Sequence, residues 1–160
     1  MSEVSILFAD LCGFTEYTCR HGDEPAMNLA LAFHRSARAL AAEEDCVFVK
    51  SIGDAVMVEG DDCRKIVRLA RRILALSASE GYPPIRAGID TGPVLECDGD
   101  CYGSTVNTAA RVAGAAGPGE LVLTERAHAA IGGESSVVLH GLGVWRLKGL
   151  PEMRVHAAVV

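Results

Sequence analysis

Six segments in the first 90 residues alternate between two hydrophobic periods, and their order constrains the fold more than any other feature of the chain. Short apolar runs rich in β-branched residues predict strands at residues 4–9, 46–50, 55–59 and 85–90. Apolar side chains that recur every third or fourth residue predict a helix at residues 24–43 and a second helix after the candidate N-cap residues Asp61 and Asp62. The resulting order, βαββαβ, predicts an α+β domain with a ferredoxin-like core.

The rest of the chain predicts additional C-terminal α/β elements, so that a single domain fills residues 1–160. Thr91, Gly92 and Pro93 predict a turn between the strand at 85–90 and a further strand. A helix is predicted from a Ser104 cap to Ala113, ending at the glycines that follow. The other predicted elements are a loop at 98–103, strands at 94–97, 121–124 and 137–140, a helix at 125–131, and a hairpin of 144–147 with 154–159.

The composition excludes several classes of protein. With 160 residues, 49% hydrophobic and 22% charged, the chain has the size and composition of one ordinary globular domain. The net charge of −6 disfavours nucleic acid as a partner. No apolar run is long enough to span a bilayer, so we expect no membrane partner. The six cysteines include no Cys-x-x-Cys pair, which favours free thiols in a reducing, cytoplasmic compartment. The sequence fits a stand-alone domain and a piece of a longer protein equally well.

Two aspartates beside glycines stand at the ends of predicted strands. Asp10 follows the apolar run 4–9, and Asp54 lies at the tip of the predicted hairpin between residues 46 and 59. Most aspartates are ordinary surface or turn residues. A carboxylate that ends a buried strand is costly unless it is paired or binds a metal, and Mg²⁺ is typically held by one or two carboxylates plus phosphate and water. We therefore expect a metal site that faces an anionic ligand.

Four further polar residues are unremarkable alone. Asn107 and Arg111 are separated by four positions and share one face of their predicted helix. An isolated pair of this kind is more often a solvated helix face, Lys50 alone would be a surface lysine, and Asp100 alone would be a turn residue. Their spacing relative to Asp54 and to one another changes this interpretation.

Three motifs in order carry a family resemblance over nearly the whole chain. They are FADLCGFT at residues 8–15, KSIGDAVM at 50–57 and GSTVNTAAR at 103–111, with weaker matches at 92–94 and 147–149. The chain resembles the class III nucleotidyl cyclase catalytic domain, of the adenylyl cyclase type. The resemblance implies conversion of ATP to 3′,5′-cyclic AMP and pyrophosphate with two divalent metal ions, Mg²⁺ or Mn²⁺.

The resemblance also assigns roles to single residues. It implies a metal site at Asp10, Leu11 and Asp54, where one ion lowers the pKa of the ribose 3′-hydroxyl and the other clamps the triphosphate. Asn107 and Arg111 are implied to orient the ribose and to stabilise charge on the α-phosphoryl group.

Further implied contacts are to the phosphates. Backbone N–H groups of the bend at Cys12, Gly13, Phe14 and Thr15 are implied to bind them, and Lys148 is implied to contact the terminal ones.

Base choice is implied to depend on Lys50 and Asp100. An ammonium and a carboxylate complement the N1 acceptor and the 6-amino donor of adenine, whereas guanine presents the reverse pattern. A mispaired, buried polar edge costs a discrimination factor of roughly 10⁴. Asp98 lies in the same loop and could exchange roles with Asp100, but only Asp100 has the family spacing to Asn107.

The resemblance further implies a head-to-tail homodimer with two shared sites. Asp10 and Asp54, with Lys50 beside them, would form one half of a site, and Asn107 and Arg111 of the partner the other. The segment between residues 92 and 103 is shorter than the extended arm of many family members. A guanylyl cyclase and a non-catalytic nucleotide-binding or regulatory module of the same fold are the alternatives. A diguanylate cyclase is disfavoured because its Gly-Gly-Asp/Glu-Glu-Phe signature is absent, and residues 132–134 are interpreted as a simple turn.

Overall fold

A computed structural model of the chain describes residues 2–132 and 139–158. Its helices and strands follow one another in the order β1 (Ser2–Leu11), α1 (Phe14–His21), α2 (Asp23–Glu43), β2 (Val47–Ile52), β3 (Ala55–Gly60), α3 (Cys63–Glu80), β4 (Ile85–Cys97), β5 (Asp100–Tyr102), α4 (Ser104–Ala115), β6 (Leu121–Thr124), α5 (Glu125–Ile131), β7 (Leu139–Trp145) and β8 (Met153–Ala158). None of the helices in the described part of the chain is long and apolar enough to cross a membrane.

The strands form one mixed sheet in the order β2-β3-β1-β4-β6-β8-β7, with the short β5 paired to β4. The first four of these strands pair antiparallel and are connected as βαββαβ, which confirms the predicted ferredoxin-like core. Strand β6 pairs parallel to β4, and β8 and β7 extend the sheet antiparallel beyond it. The predicted C-terminal α/β elements are therefore additions to one edge of that core.

Both faces of the sheet are covered by helices, so β1 is buried on both sides. Leu7 and Ala9 point into the larger core cluster, together with buried residues of α2, α3 and α5. Ile6 and Phe8 point to the other face, where they pack with Ala109 and Ala113 of α4. Side chains alternate along a strand, so Asp10 lies on the same face as α4.

The predicted turn at Thr91–Pro93 is wrong, because β4 runs without interruption from Ile85 to Cys97. Strand β1 is longer than predicted, and its first residues pair with Thr91, Gly92 and Pro93. Pro93 lacks an N–H donor but is tolerated here, because β6 pairs with β4 only at positions 87–89 and leaves that edge of β4 open.

Two predictions about helices also need correction. Helix α1 was not predicted, because its eight residues include none that is buried and so no apolar stripe marks it. Gly103, and not Ser104, is the N-cap of α4, since the helix begins directly after β5 and Ser104 is already in its first turn. The helix also continues through Gly114 to Ala115.

The remaining differences concern strands. The predicted loop at 98–103 contains β5, and the two strands predicted at 137–140 and 144–147 are one irregular strand, β7. Residues 137, 138 and 159, and most of the predicted turn at 132–134, lie outside the described residues. The hairpin around Lys148 is confirmed as the connection from β7 to β8.

Candidate active site

The two predicted metal-site carboxylates meet at one end of the sheet. Asp10 lies near the end of β1, and Asp54 lies in the turn between β2 and β3. The backbone N–H of Leu11 donates a hydrogen bond to Asp54 Oδ2 at 3.1 Å, which fixes the turn against β1. Burial, and then the charge of Asp10, raise the pKa of Asp54. A carboxyl whose ionisation is disfavoured by burial and by a neighbouring carboxylate belongs to a site that a cation would stabilise.

Arg86 is a member of this site that the sequence did not reveal. Its Nε lies 2.7 Å from Asp10 Oδ1 and its Nη2 3.3 Å from Asp10 Oδ2, while its Nη1 donates to the carbonyl of Gly114 at 2.8 Å. The guanidinium thus joins the end of β1 to the end of α4. No motif marks Arg86, and its position depends on the pairing of residue 86 with residue 10 across β1 and β4.

The donor set at this end of the sheet fits a hard divalent cation. Asp10 and Asp54 offer carboxylate oxygens, and Leu11 can contribute only its main-chain carbonyl oxygen. Arg86 now provides the positive charge beside Asp10. A metal ion would share or take over that role, since a guanidinium and a cation compete for the same oxygens.

The predicted phosphate-binding bend is a strand-to-helix turn. Gly13 has φ 71° and ψ 24°, a left-handed conformation suited to glycine, and α1 begins at the next residue. The backbone N–H of Cys12 donates to the carbonyl of Pro84 at 2.7 Å, so it is not free for a phosphate and that part of the prediction is wrong. The first-turn N–H groups of Phe14 and Thr15 have no intrahelical acceptor and can bind an anion.

Lys50 and Asp100, the two residues predicted to read the base, contact each other within one chain. Lys50 Nζ lies 2.7 Å from Asp100 Oδ2, and the backbone N–H of Cys101 donates to Asp100 Oδ1 at 2.7 Å. The mutual hydrogen bond raises the pKa of Lys50 and lowers that of Asp100, so both are charged at neutral pH. Asp98 instead occupies the tight β4–β5 turn with φ 52°. Of the two aspartates in this loop, the structure places Asp100 against Lys50.

Two acidic side chains beside this pair surround the buried Cys101. The thiol of Cys101 is 3.0 Å from Glu59 Oε2, and Glu96 lies close enough to interact with both. Burial, together with the neighbouring carboxylates, raises the pKa of Cys101 to about 12, and burial raises that of Glu59. The cluster therefore favours protonated groups and anchors β5 to β3.

Asn107 and Arg111 do not join either group. Both are exposed on α4, and neither side chain makes a hydrogen bond or ion pair with another residue of the described ranges 2–132 and 139–158. The opposite side of the helix packs on the sheet through Ala109 and Ala113. Both side chains are therefore presented outward.

Lys148 is also exposed, in the turn between β7 and β8. Strand β8 pairs with β6, β6 with β4, and β4 with β1. These pairings put the start of β8 level with the N-terminal end of β1, which is the end opposite to Asp10. This places it roughly 20 Å along the strands and roughly 14 Å across them from Asp10. A lysine side chain cannot cover that distance within one chain.

Comparison with known proteins identifies the family. The family described as the adenylate and guanylate cyclase catalytic domain matches residues 1–158. An adenylate cyclase of Streptomyces griseus is 36% identical over 137 residues, which cover 85% of this chain and 33% of that protein. A pH-sensitive adenylate cyclase of Mycobacterium tuberculosis is 34% identical over 131 residues, covering 81% of this chain and 33% of that protein. The chain thus spans about a third of the length of these relatives.

Solved structures share the fold. The adenylyl cyclase CyaB from P. aeruginosa superposes with a TM-score of 0.84 at 22% identity, covering 99% of this chain and 94% of the other. The catalytic core of a rhodopsin-guanylyl cyclase with converted specificity, in complex with ATPαS, superposes with a TM-score of 0.88 at 24% identity, covering 99% and 96%. Since the family match extends over residues 1–158, the chain belongs to the adenylate and guanylate cyclase catalytic domain family, the class III nucleotidyl cyclases that its motifs resemble.

Proposed function

We propose that this chain is an adenylyl cyclase domain that converts ATP to 3′,5′-cyclic AMP and pyrophosphate in sites shared by two copies of the chain. The observation that carries the proposal is the contact between Lys50 and Asp100. It holds one cation and one anion together at the place where the family resemblance puts the base. Lys50 retains free N–H donors for N1 of adenine, and Asp100 retains acceptor sites for the 6-amino group.

In the proposed reaction the ribose 3′-oxygen attacks the α-phosphorus of ATP. The new bond joins the 3′-oxygen to the α-phosphorus, the bond from that phosphorus to the bridging oxygen breaks, pyrophosphate leaves, and the 3′-hydroxyl proton is released. Asp10, Asp54 and the Leu11 carbonyl would hold two divalent ions, Mg²⁺ or Mn²⁺, which supply Lewis acidity at the hydroxyl and at the phosphates when bound.

The protein's own groups would do the rest of the work. The N–H groups at the start of α1 would bind phosphate oxygens, and Arg86 would hold the Asp10 carboxylate in place. Asn107 would orient the ribose and Arg111 would stabilise charge that develops on the α-phosphoryl group. Lys148 would bind the terminal phosphates.

Three observations support a site shared across a head-to-tail homodimer. Lys148 lies too far from Asp10 to bind the same triphosphate within one chain. Asn107 and Arg111 are presented to solvent on α4 rather than toward Asp10 or Asp54. Large apolar side chains are exposed around the Lys50–Asp100 pair, as is typical of a surface that binds a partner; they are Val47, Ile52, Leu95 and Tyr102.

The structure also suggests how the site divides between the two copies. The sequence placed Lys50 with Asp54, but its side chain is paired with Asp100, on the strand that leads into α4. We therefore assign Lys50 and Asp100 to the same half as Asn107 and Arg111. Asp10, Asp54 and the start of α1 would form the other half.

A mixing experiment tests the shared site. Asp54→Ala and Asn107→Ala should each be nearly inactive, and an equimolar mixture should recover about a quarter of the wild-type rate of cyclic AMP formation, because half of randomly paired dimers contain one intact site. Folded, dimeric variants that recover nothing on mixing would contradict the sharing. Mixing Asp54→Ala with Lys50→Ala tests the division, since recovery requires the two residues to lie in different halves.

Assays with ATP and GTP test the base preference. Wild type should cyclise ATP in preference to GTP, and Lys50→Glu combined with Asp100→Cys should weaken ATP use strongly. Unchanged ATP turnover in the double variant would overturn the base-reading role. Preference of the wild type for GTP would identify a guanylyl cyclase instead.

A further inference from the structure

We propose that Glu125, His128 and His156 form a second, separate binding site for a divalent transition-metal ion, with ligands best suited to Zn²⁺. No part of the proposed cyclase reaction uses these three residues. They come from two elements that pack together, since Glu125 and His128 are on α5 and His156 is on β8, which lies between β6 and β7 in the sheet.

The three side chains already converge on one point. His156 Nε2 lies 2.7 Å from Glu125 Oε2, and His128 Nδ1 lies 3.9 Å from Glu125 Oε1. One ligand atom from each residue falls within 4.8 Å of the other two. Glu125 and His128 are three positions apart on α5 and so share one face of that helix. The arrangement needs no change of fold to accept an ion.

The two imidazole rings are stacked side by side. Their centroids are 4.1 Å apart and their planes are inclined by 17°. His156 is 12% exposed, while His128 and Glu125 are 39% and 53% exposed. The site is therefore anchored at its base by a nearly buried histidine and is open to solvent at its rim, where an ion can enter and retain water.

The ligand set selects the kind of metal. Two imidazole nitrogens and one carboxylate are a known zinc ligand set, with bonds of about 2.0–2.2 Å and water in the fourth position. Tetrahedral bonds of that length separate neighbouring ligand atoms by about 3.4 Å. The present separations bracket this value, so small side-chain rotations would suffice. Hard ions such as Mg²⁺ prefer oxygen ligands and would favour the Asp10 and Asp54 end instead.

The site is remote from the proposed active site. Glu125 directly follows Thr124, whose hydroxyl donates to Asp90, whereas Asp10 pairs with Arg86 at the start of β4. Ala127 of α5 packs in the core on the face that α2 and α3 cover, opposite to α4. An ion held by Glu125, His128 and His156 would thus fasten α5 to β8 without touching the ATP-binding residues.

The test is a calorimetric titration with Zn²⁺ in buffer that contains excess Mg²⁺, so that the oxygen site is occupied. Wild type should bind one Zn²⁺ per chain. The affinity for this ion should fall at least roughly tenfold in each of the variants Glu125→Gln, His128→Ala and His156→Ala. His140→Ala is the matched control, because His140 is exposed on the adjacent β7 and belongs to no such cluster among the residues that the structure describes; the affinity of this variant should equal that of wild type. The cysteines are the same in every variant.

A second measurement uses thermal unfolding. Zn²⁺ should raise the melting temperature of wild type and of His140→Ala, because a ligand that binds only the folded chain stabilises it. It should not raise that of Glu125→Gln, whose exposed side chain is replaced by a near-isosteric amide and whose folding is easily verified without metal. Absence of stoichiometric Zn²⁺ binding to wild type, or equal affinity in wild type and Glu125→Gln, would overturn the proposal. Neither readout depends on cyclase activity.

Discussion

Helix α4 approaches the sheet so closely at Gly88 that a single methyl group should displace it. A Cβ added at Gly88 would lie 2.4 Å from the backbone nitrogen of Ala113, 2.7 Å from its Cα and 3.0 Å from the carbonyl oxygen of Ala109. These are backbone atoms, so no side-chain rotation can relieve the clash. Gly88→Ala must therefore move the helix.

The displacement can be estimated from these distances. Ordinary van der Waals contact begins near 3.4 Å, so α4 has to retreat from β4 by about 1 Å. Overpacking of a core by a group that cannot rotate away costs about 1–3 kcal/mol of unfolding free energy. A 1 Å misplacement of groups that act on the reacting atoms costs roughly 100-fold in rate. Since Asn107 and Arg111, which we propose act on the ribose and the α-phosphoryl group, are on α4, we expect Gly88→Ala to lower kcat by about that factor.

The effect on ATP binding should be smaller, because Lys50 and Asp100 lie on β2 and β5. Urea unfolding measures the stability, and cyclic AMP formation at varied ATP concentration separates kcat from KM. Gly114→Ala is the control on the same helix, since its Cβ would meet no atom within 4 Å. It should gain roughly 0.5–1 kcal/mol in stability and keep its activity.

Two outcomes would refute parts of this reasoning. Wild-type stability in Gly88→Ala would show that α4 does not pack as closely as the structure has it. A loss of stability with an unchanged kcat would leave the packing intact and contradict the role of α4 in the reaction.

Three further predictions concern other parts of the molecule. Arg86→Ala should lower stability at neutral pH by about 1–3 kcal/mol, because two adjacent carboxylates lose their guanidinium. Millimolar Mg²⁺ should restore part of the lost stability. No response to Mg²⁺ in urea unfolding would count against the cation site. Burial raises the pKa of Glu59 in the folded state. The contribution of this carboxyl to the free energy of unfolding is therefore fully present below its unfolded-state pKa of 4.5 and is lost as pH rises through its folded-state pKa. Stability of wild type relative to Glu59→Gln should therefore fall as pH rises above about 4.5, and parallel pH profiles in urea unfolding would contradict this. Asp62→Ala should cost about 1 kcal/mol, because its side chain accepts the Arg64 N–H at the start of α3, whereas Asp61→Ala should cost less than half as much in the same assay.

Much of the secondary structure and the family follow from local sequence. The apolar periods of α2 and α3 and the strand-forming runs of the βαββαβ core are visible along the chain, because each element must present one apolar face or two to the core. The spacing of Asp10, Lys50, Asp54, Asn107 and Arg111 within three motifs was sufficient to indicate the family that the comparisons identify. Helix α1 was not predicted, because it buries none of its residues and therefore shows no apolar face in the sequence.

Strand pairing decided what local sequence could not. Thr91–Pro93 continues a strand only because the start of β1 lies beside it, and Arg86 reaches Asp10 only because the register of β1 and β4 places them opposite each other. The same applies to the partner of Lys50, which is Asp100 although Asp54 is closer in sequence. Glu125, His128 and His156 converge because α5 packs against β8. Such contacts join residues that are distant along the chain, and their distances depend on the register of the whole sheet rather than on any local pattern.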